Sequence, residues 1–548
     1  MPNKFEKWLT LAAWLMVPPL FGVLSVMLGQ DANWDLRNYH YYNPYSFINN
    51  RMDFDALPSQ VANFYNPLLY VPFYYAVNLF SPMWVGFLLG WIQGFNFPLL
   101  LAIARRMIPS TRDGENSPWK QGTICFGISL IGMLGAADIS ELGTMFSDNL
   151  LSILILSSLW VILSAMRHLL LSGWRMKLAI VIGAGFLAGA AIGFKQPVAI
   201  YAIGLCAAFF ALKTPFITRF LLSFFYGIGV LSGIAATGGY WLYEMWVRFK
   251  NPLFPYFNLL FQSPMATIGN YRDTQYLPEN IGEALISPFF FGFAPYEFSE
   301  VAYRDLRIPL LYVLLLALLA KIFVDSVSVQ PEQQPTRTDP VLDSAIWFLL
   351  ASGVVSYLTW LKMFAIFRYI LVIELLAPLG IWLILDRMIS SRIARYAAAV
   401  ASFLMIMATL SPADWGRVSW GKDYFGAKLP VIEKPEDTLV IMTGADPSSY
   451  LVPLFPKAVR FVRIQSYFTG PSSHPNGYDR LMENIISGHT GPMYVLFRSY
   501  ENLGAITALD AYGLDLKSDS CLAFKPHIES NVIDPLNFCE VSKRHDHE

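Results

Sequence analysis

Eleven stretches of this chain are apolar over roughly the 20 residues a helix needs to cross a bilayer. They lie at about 8–29, 83–104, 121–137, 148–171, 177–193, 196–212, 217–245, 307–324, 343–361, 366–385 and 394–411. Hydrocarbon offers a backbone no water, so each crossing must satisfy its own hydrogen bonds as a helix. The chain therefore reads as an α-helical polytopic membrane protein with about eleven transmembrane helices. Composition agrees: 14% of its residues are charged, against about 25% in soluble domains. A formal net charge of −1 points to no nucleic-acid partner.

Lys4 and Lys7 precede the first run, as in a signal peptide, but no small-x-small cleavage site precedes Gln30. We read an uncleaved first span. Pro197 separates the runs at 177–193 and 196–212, since proline suits the first turn of a new helix. Basic residues gather in alternate connections: Arg105, Arg106, Arg112 and Lys120; Arg167, Arg175 and Lys177; Lys213 and Arg219; Lys321 and Arg337; Arg387, Arg392 and Arg395. Short basic loops stay cytoplasmic. The N-terminus is then cytoplasmic, and the segments 30–82, 138–147, 246–306 and 412–548 face outside.

Two domains follow: a membrane domain over 1–411, with outer juxtamembrane helices in 30–82, and an extracytoplasmic domain over 412–548. In the latter, 438–442, 459–464 and 493–497 read as strands, with helices at 448–454 and 478–486 between them. Alternating strands and helices predict a small α/β domain. Cys521 and Cys539 lie there and could pair if it faces an oxidising compartment, whereas Cys125 and Cys206 sit in apolar runs. The stretch 330–340, rich in Pro, Gln and Thr, reads as a linker. His168, His474, His489 and His527 are scattered, and His545 and His547 sit in a charged tail.

Chemistry concentrates just after the first span, in Asp31-Ala-Asn-Trp-Asp35-Leu-Arg-Asn-Tyr39-His40-Tyr-Tyr42. Asp35, Tyr39 and Tyr42 fall at helical spacing, putting a carboxylate and aromatic rings on one face of a surface helix. Such a carboxylate could act as a general base. In the plainer reading Asp31 caps the helix and Asp35 and Arg37 solvate its polar face. Asp138, Glu141 and Asp148 add acids from the second outer loop. They could hold a metal or take up a proton, and Asp148 alone would suit a helix N-terminus. Lys195 and Arg368, the latter followed by Tyr369, are cations on the same rim. Rim cations usually have a partner, and snorkelling is the alternative.

The order of these parts resembles the GT-C superfamily of polyprenyl-phosphate-dependent glycosyltransferases, which includes aminoarabinose transferases and protein O-mannosyltransferases. Asp35-Leu-Arg-Asn-Tyr39 looks like the family's acid after the first span. Asn66-Pro67-Leu-Leu-Tyr70 is similar to its proline-containing surface helix. Asp148, Lys195 after a Gly/Ala-rich span, and Arg368-Tyr369 match its later positions. The acid pair of many members is absent, since Leu36 follows Asp35 and Asp31 lies four residues earlier. The segment 251–307 matches no family element; it suits either a wall for a lipid-facing cavity or packing on the bilayer surface.

The resemblance implies a transferase that moves a sugar from a polyprenyl-phosphate donor to a lipid, glycan or protein acceptor at the outer face of a bacterial inner membrane. Asp35 would be the base, with Asp31 as its alternate. Lys195, Arg368 and Tyr369 would hold the donor phosphate, and Tyr39, His40 and Tyr42 would contact substrate. Any divalent ion, Mg or Mn, would fall to Asp138, Glu141 and Asp148. The rivals are a flippase for a lipid-linked glycan and a non-catalytic scaffold of the cell envelope.

Overall fold

The computed structural model describes residues 4–109, 111–112, 115–116, 118–327, 339–471 and 475–544. Arg337, His474, His545, His547 and all but the end of the 330–340 linker lie outside them. Among the described residues, eight helices are long and apolar enough to cross a membrane: Trp8–Leu28, Pro82–Met107, Trp174–Phe194, Phe216–Phe249, Arg307–Val327, Pro340–Met363, Phe367–Met388 and Arg392–Thr409. The other three apolar runs also form helices, but shorter ones, within Pro118–Met133, Asp148–Ser164 and Gln196–Ala211. The reasons are local. Ser147 takes a left-handed turn (φ 74°) before Asp148, and Ala165 interrupts the helix before it resumes at Met166–Leu171. Lys195 is extended, and Gln196–Val198 then starts a new helix with Pro197 in its first turn.

Glycine sets the closest helix pair. Gly185, Gly189 and Gly193 recur every fourth residue on Trp174–Phe194, facing Gly229, Gly233 and Gly238 of Phe216–Phe249. A Cβ on Gly189 would lie 2.0 Å from the Val230 carbonyl oxygen, so only glycine permits this approach. Small residues at such spacing let membrane helices pack backbone to backbone. That contact fixes where Trp174–Phe194 ends, and Lys195 is the next residue.

At one end of the bundle the four long connections pack on one another. The Met145 amide donates to Asp31 Oδ2, and Arg417 donates to the carbonyls of Gly29, Ser140 and Leu142. Arg304 and Ser411 pair backbone to backbone, and the Gly477 amide donates to the Pro264 carbonyl. The basic connections meet at the opposite end: Arg105 donates to Thr10, and Lys213 and Arg387 share Asp343.

The C-terminal part holds a six-stranded sheet: β1 (Leu439–Met442), β2 (Arg460–Arg463), β3 (Met493–Arg498), β4 (Leu514–Leu516), β5 (Leu522–Phe524) and β6 (Leu536–Lys543). Its order is β2-β1-β3-β6-β4, with β5 also on β6. β1 is parallel to both neighbours, and β6 is antiparallel to all of its own. The three strands read from sequence are the buried, parallel ones, and the helix Gly477–Gly488 follows β2 as expected. Cys521 and Cys539 form a disulfide. The boundary at 412 conceals one feature. Residues 30–66 are built into this part: Ala56 pairs with Val462 of β2, and Arg51 pairs with Asp55 while donating to the carbonyl of Val459. Tyr39, Tyr42 and Tyr45 share a buried core with Val440, Tyr450 and Phe461.

Candidate active site

Asp35 precedes a single π-helical turn, Leu36–His40, which runs into the α-helix Tyr42–Ile48. The wider π turn changes which side chains share a face, and such turns recur at functional sites. Tyr39 donates its hydroxyl to Asp35 Oδ2 at 3.3 Å. Tyr42, one helical step on in the sequence reading, instead points away and donates to Asp55 at 3.0 Å. It belongs to the core shared with Val440, Tyr450 and Phe461.

The other partner of Asp35 is Arg368, whose Nη1 donates to the same Oδ2 at 3.1 Å. Burial alone would raise the proton affinity of Asp35. The charge of Arg368, with that of Lys195, outweighs it and holds the carboxyl below its ordinary range. His40 is fully buried, stacks on Tyr70 at 4.6 Å between ring centroids, and has no hydrogen-bond partner on either ring nitrogen. Burial pushes its pKa down to about 3, against the pull of Asp35, so the ring is neutral at pH 7.

Lys195 makes a second ion pair, 2.7 Å from Asp148 Oδ2, and also donates to the Phe146 carbonyl at 2.9 Å. Its ammonium lies over the Tyr369 ring at 5.1 Å. Arg368 lies over Phe146 at 4.2 Å and Trp415 at 5.4 Å. The two cations are thus joined by Phe146 and Tyr369, each cation has a carboxylate, and aromatic faces add attraction. Neither cation is free, and neither snorkels.

Asp31 is buried. Its Oδ1 accepts from the backbone and side chain of Asn33, its Oδ2 accepts from Met145, and Arg417 lies nearby. These bonds fasten the start of the first outer loop to the second. Asp138 and Glu141 lie on the short helix Ala136–Glu141, buried, with none of their carboxyl oxygens hydrogen-bonded. Burial, reinforced by Glu374 for Asp138 and by Asp148 for Glu141, raises both well above the carboxylate range. Asp148 pairs with Lys195, and among the described residues no three His, Cys, Asp or Glu side chains group to hold an ion.

Several residues of this region escape a reading of the sequence. Phe146 and Trp415 carry no polar signal, yet both cover Arg368, and Trp415 is tied to Ser140. Glu374 accepts from the amides of Ala137 and Asp138, anchoring the helix that carries Glu141. Arg307, wholly buried, donates to the Gly132 carbonyl. An ionisable residue inside a membrane span is the one sequence sign that marks Glu374.

Beside this rim lies an apolar cleft of about 250 Å³, lined by Arg307–Val327, Pro340–Met363 and Phe367–Met388 and by Ala284, Leu285 and Pro288 of the 246–306 segment. Tyr201 joins the two: it lines the cleft and donates its hydroxyl to the Tyr369 carbonyl. Together, a buried carboxylate, two paired cations and an adjoining lipid-facing cleft can hold an anionic head on an apolar tail and take a proton beside it. A scan against protein-family models, a search of curated proteins and a search of solved structures each find no match to this chain.

Proposed function

We propose that the chain is a membrane glycosyltransferase of GT-C type, taking a polyprenyl-phosphate sugar as donor at the outer face of a bacterial inner membrane. The observation that carries the reading is the meeting of Asp35, Arg368 and Lys195, linked through Tyr369 and Tyr201 to the apolar cleft. The prenyl tail would lie in the cleft, and the donor phosphate would accept charge-assisted hydrogen bonds from Arg368 and Lys195. The phosphate would then compete with Asp35 for Arg368. Relieved of that counter-charge, the buried carboxylate gains proton affinity and becomes a base only when donor is present. The acceptor hydroxyl oxygen attacks the anomeric carbon and the bond from that carbon to the phosphate oxygen breaks. Asp35 takes the hydroxyl proton, and polyprenyl phosphate leaves, its charge met by the two cations.

The orientation also has support. Residues 30–66 pack against the C-terminal sheet, so an even number of crossings must separate them. The eight full-length helices leave seven after the first, which is odd. Eleven crossings, with the three shorter helices included, leave ten. The acid- and cation-lined rim, at the end opposite the short basic connections, is then extracytoplasmic.

The test uses the full chain in nanodiscs. Polyprenyl monophosphate should bind, and Lys195→Ala should weaken that binding. Asp35→Asn should keep the binding while abolishing sugar release from a polyprenyl-phosphate sugar. Absence of lipid binding in the unaltered protein, or full turnover in Asp35→Asn, rejects the reading.

A further inference from the structure

A second pocket, of about 110 Å³, opens where the helix Tyr42–Ile48 and the short turn Gln60–Phe64 meet the C-terminal end of Phe216–Phe249. None of Asp35, Arg368, Lys195 or Tyr369 lines it, so this is not the site described above. Its volume holds on the order of ten waters, the scale of a single pyranose ring with its hydroxyls.

Its lining is mixed. Trp241 and the half-exposed Tyr240 line it, and the Trp241 indole is fixed by donating to the Phe64 carbonyl at 2.8 Å. Asp53, Glu244 and Arg248 line the polar side. Arg248 already pairs with both acids, with Glu244 at 3.3 Å. One cation against two carboxylates leaves the pocket acidic, which disfavours phosphate or any other anion. Asn63 is nine-tenths buried in the wall, and its Oδ1 has no hydrogen-bond partner in the protein. Buried polar groups of native proteins are almost always satisfied, so this oxygen is an unmet acceptor in the pocket wall.

We infer that this pocket binds a neutral, hydroxyl-rich ring: hydroxyls donate to Asn63, Asp53 and Glu244 while the C–H face of the ring lies on Tyr240 and Trp241. Exposed Tyr240 and Trp246 mark this helix end as the aromatic belt of the membrane surface. The ring could therefore come from a lipid headgroup or from a free saccharide. The inference stands apart from sugar transfer, and Asp35→Asn should leave it untouched.

Saturation-transfer NMR on the full chain in nanodiscs tests it, with the methyl glycosides of glucose, galactose and mannose and with myo-inositol as probes. At least one probe should bind at millimolar concentration, weakened about five- to tenfold by Asn63→Ala and by Tyr240→Ala. Tyr240 is 54% exposed, so its variant keeps the test valid should Asn63→Ala fail to fold. Loss of the free-probe signal when a monoglycosyl diacylglycerol is added to the nanodisc supports the pocket and assigns a headgroup. Retention supports it and assigns a free saccharide. No transfer from any probe, or transfer unchanged in both variants, overturns the inference.

Discussion

Arg368 donates to Asp35 across 333 positions of sequence, so the first acid after the opening span and the cation that begins a late one neutralise each other. Their side chains are only 14% and 15% exposed, and removing one would strand the other. Arg368→Ala should lower stability by about 2–4 kcal/mol, somewhat under the cost for a fully buried pair. The double variant Asp35→Asn, Arg368→Ala should recover most of it. Thermal unfolding of the unaltered protein, Asp35→Asn, Arg368→Ala and the double variant in nanodiscs forms the cycle, and a fully stable Arg368→Ala would show the pair holds nothing.

His40 should make the protein acid-sensitive. Its folded pKa of about 3 lies below the ordinary 6.5, so the unfolded chain binds a proton that the folded chain refuses. The resulting stability is whole above about pH 6.5 and declines as pH falls toward 3, by on the order of 4 kcal/mol in all. Asp35, held below its ordinary range, works in the same direction but only under about pH 4. Melting temperatures from pH 7 to 4 should fall steeply for the unaltered protein and more shallowly for His40→Asn. Parallel curves would mean that His40 is not buried neutral.

Gly189→Ala should disturb the helix pair that places Lys195. The added Cβ meets a backbone carbonyl, which cannot swing away as a side chain would. Overpacking of this kind costs about 1–3 kcal/mol. Gly183→Ala, on the same helix with open space around its Cβ, is the control. Equal melting temperatures for the two variants would show that the close approach is not required.

Cysteines placed at Asn50 and Asp519 should react from the same side of the membrane, and one at Lys120 from the other. All three sites are exposed. A membrane-impermeant maleimide on intact cells reads this directly. Labelling of Asn50→Cys and Asp519→Cys from opposite sides would contradict the packing of the first loop on the sheet.

The Cys521–Cys539 disulfide closes a separation of 18 residues, which stabilises a domain by about 3 kcal/mol. Denatured without reductant, the chain should expose two reactive thiols, Cys125 and Cys206, and after reduction four. Four thiols before reduction would show the bridge absent.

What the sequence reveals here is whatever is local. The apolar runs, the break at Pro197 and the strands at 439–442, 460–463 and 493–498 each carry their signal within a few residues. Helix length is only half local, because the break at Ala165 divides the 148–171 run into two helices. The site is least legible. Asp35, Lys195 and Arg368 draw notice as charges out of place, but their pairing with one another's neighbours joins distant segments. Tyr42 is read onto the wrong face because nothing in Leu-Arg-Asn-Tyr-His announces a π turn. The division at residue 412 follows a change in composition, which cannot register that Ala56 completes a sheet formed some 400 residues later.

That last contact has a consequence for biogenesis. Ser449 donates to the carbonyl of Asn38, inside the π turn, and Arg37 meets Glu529, which is itself held by Arg498. Glu529 is made 492 residues after Arg37, and chains fold as they emerge. The turn that aims Asp35 at Arg368 therefore lacks its clamp until the C-terminal sheet has been made. A chain cut short before that sheet would insert its helices with the Asp35 turn unclamped.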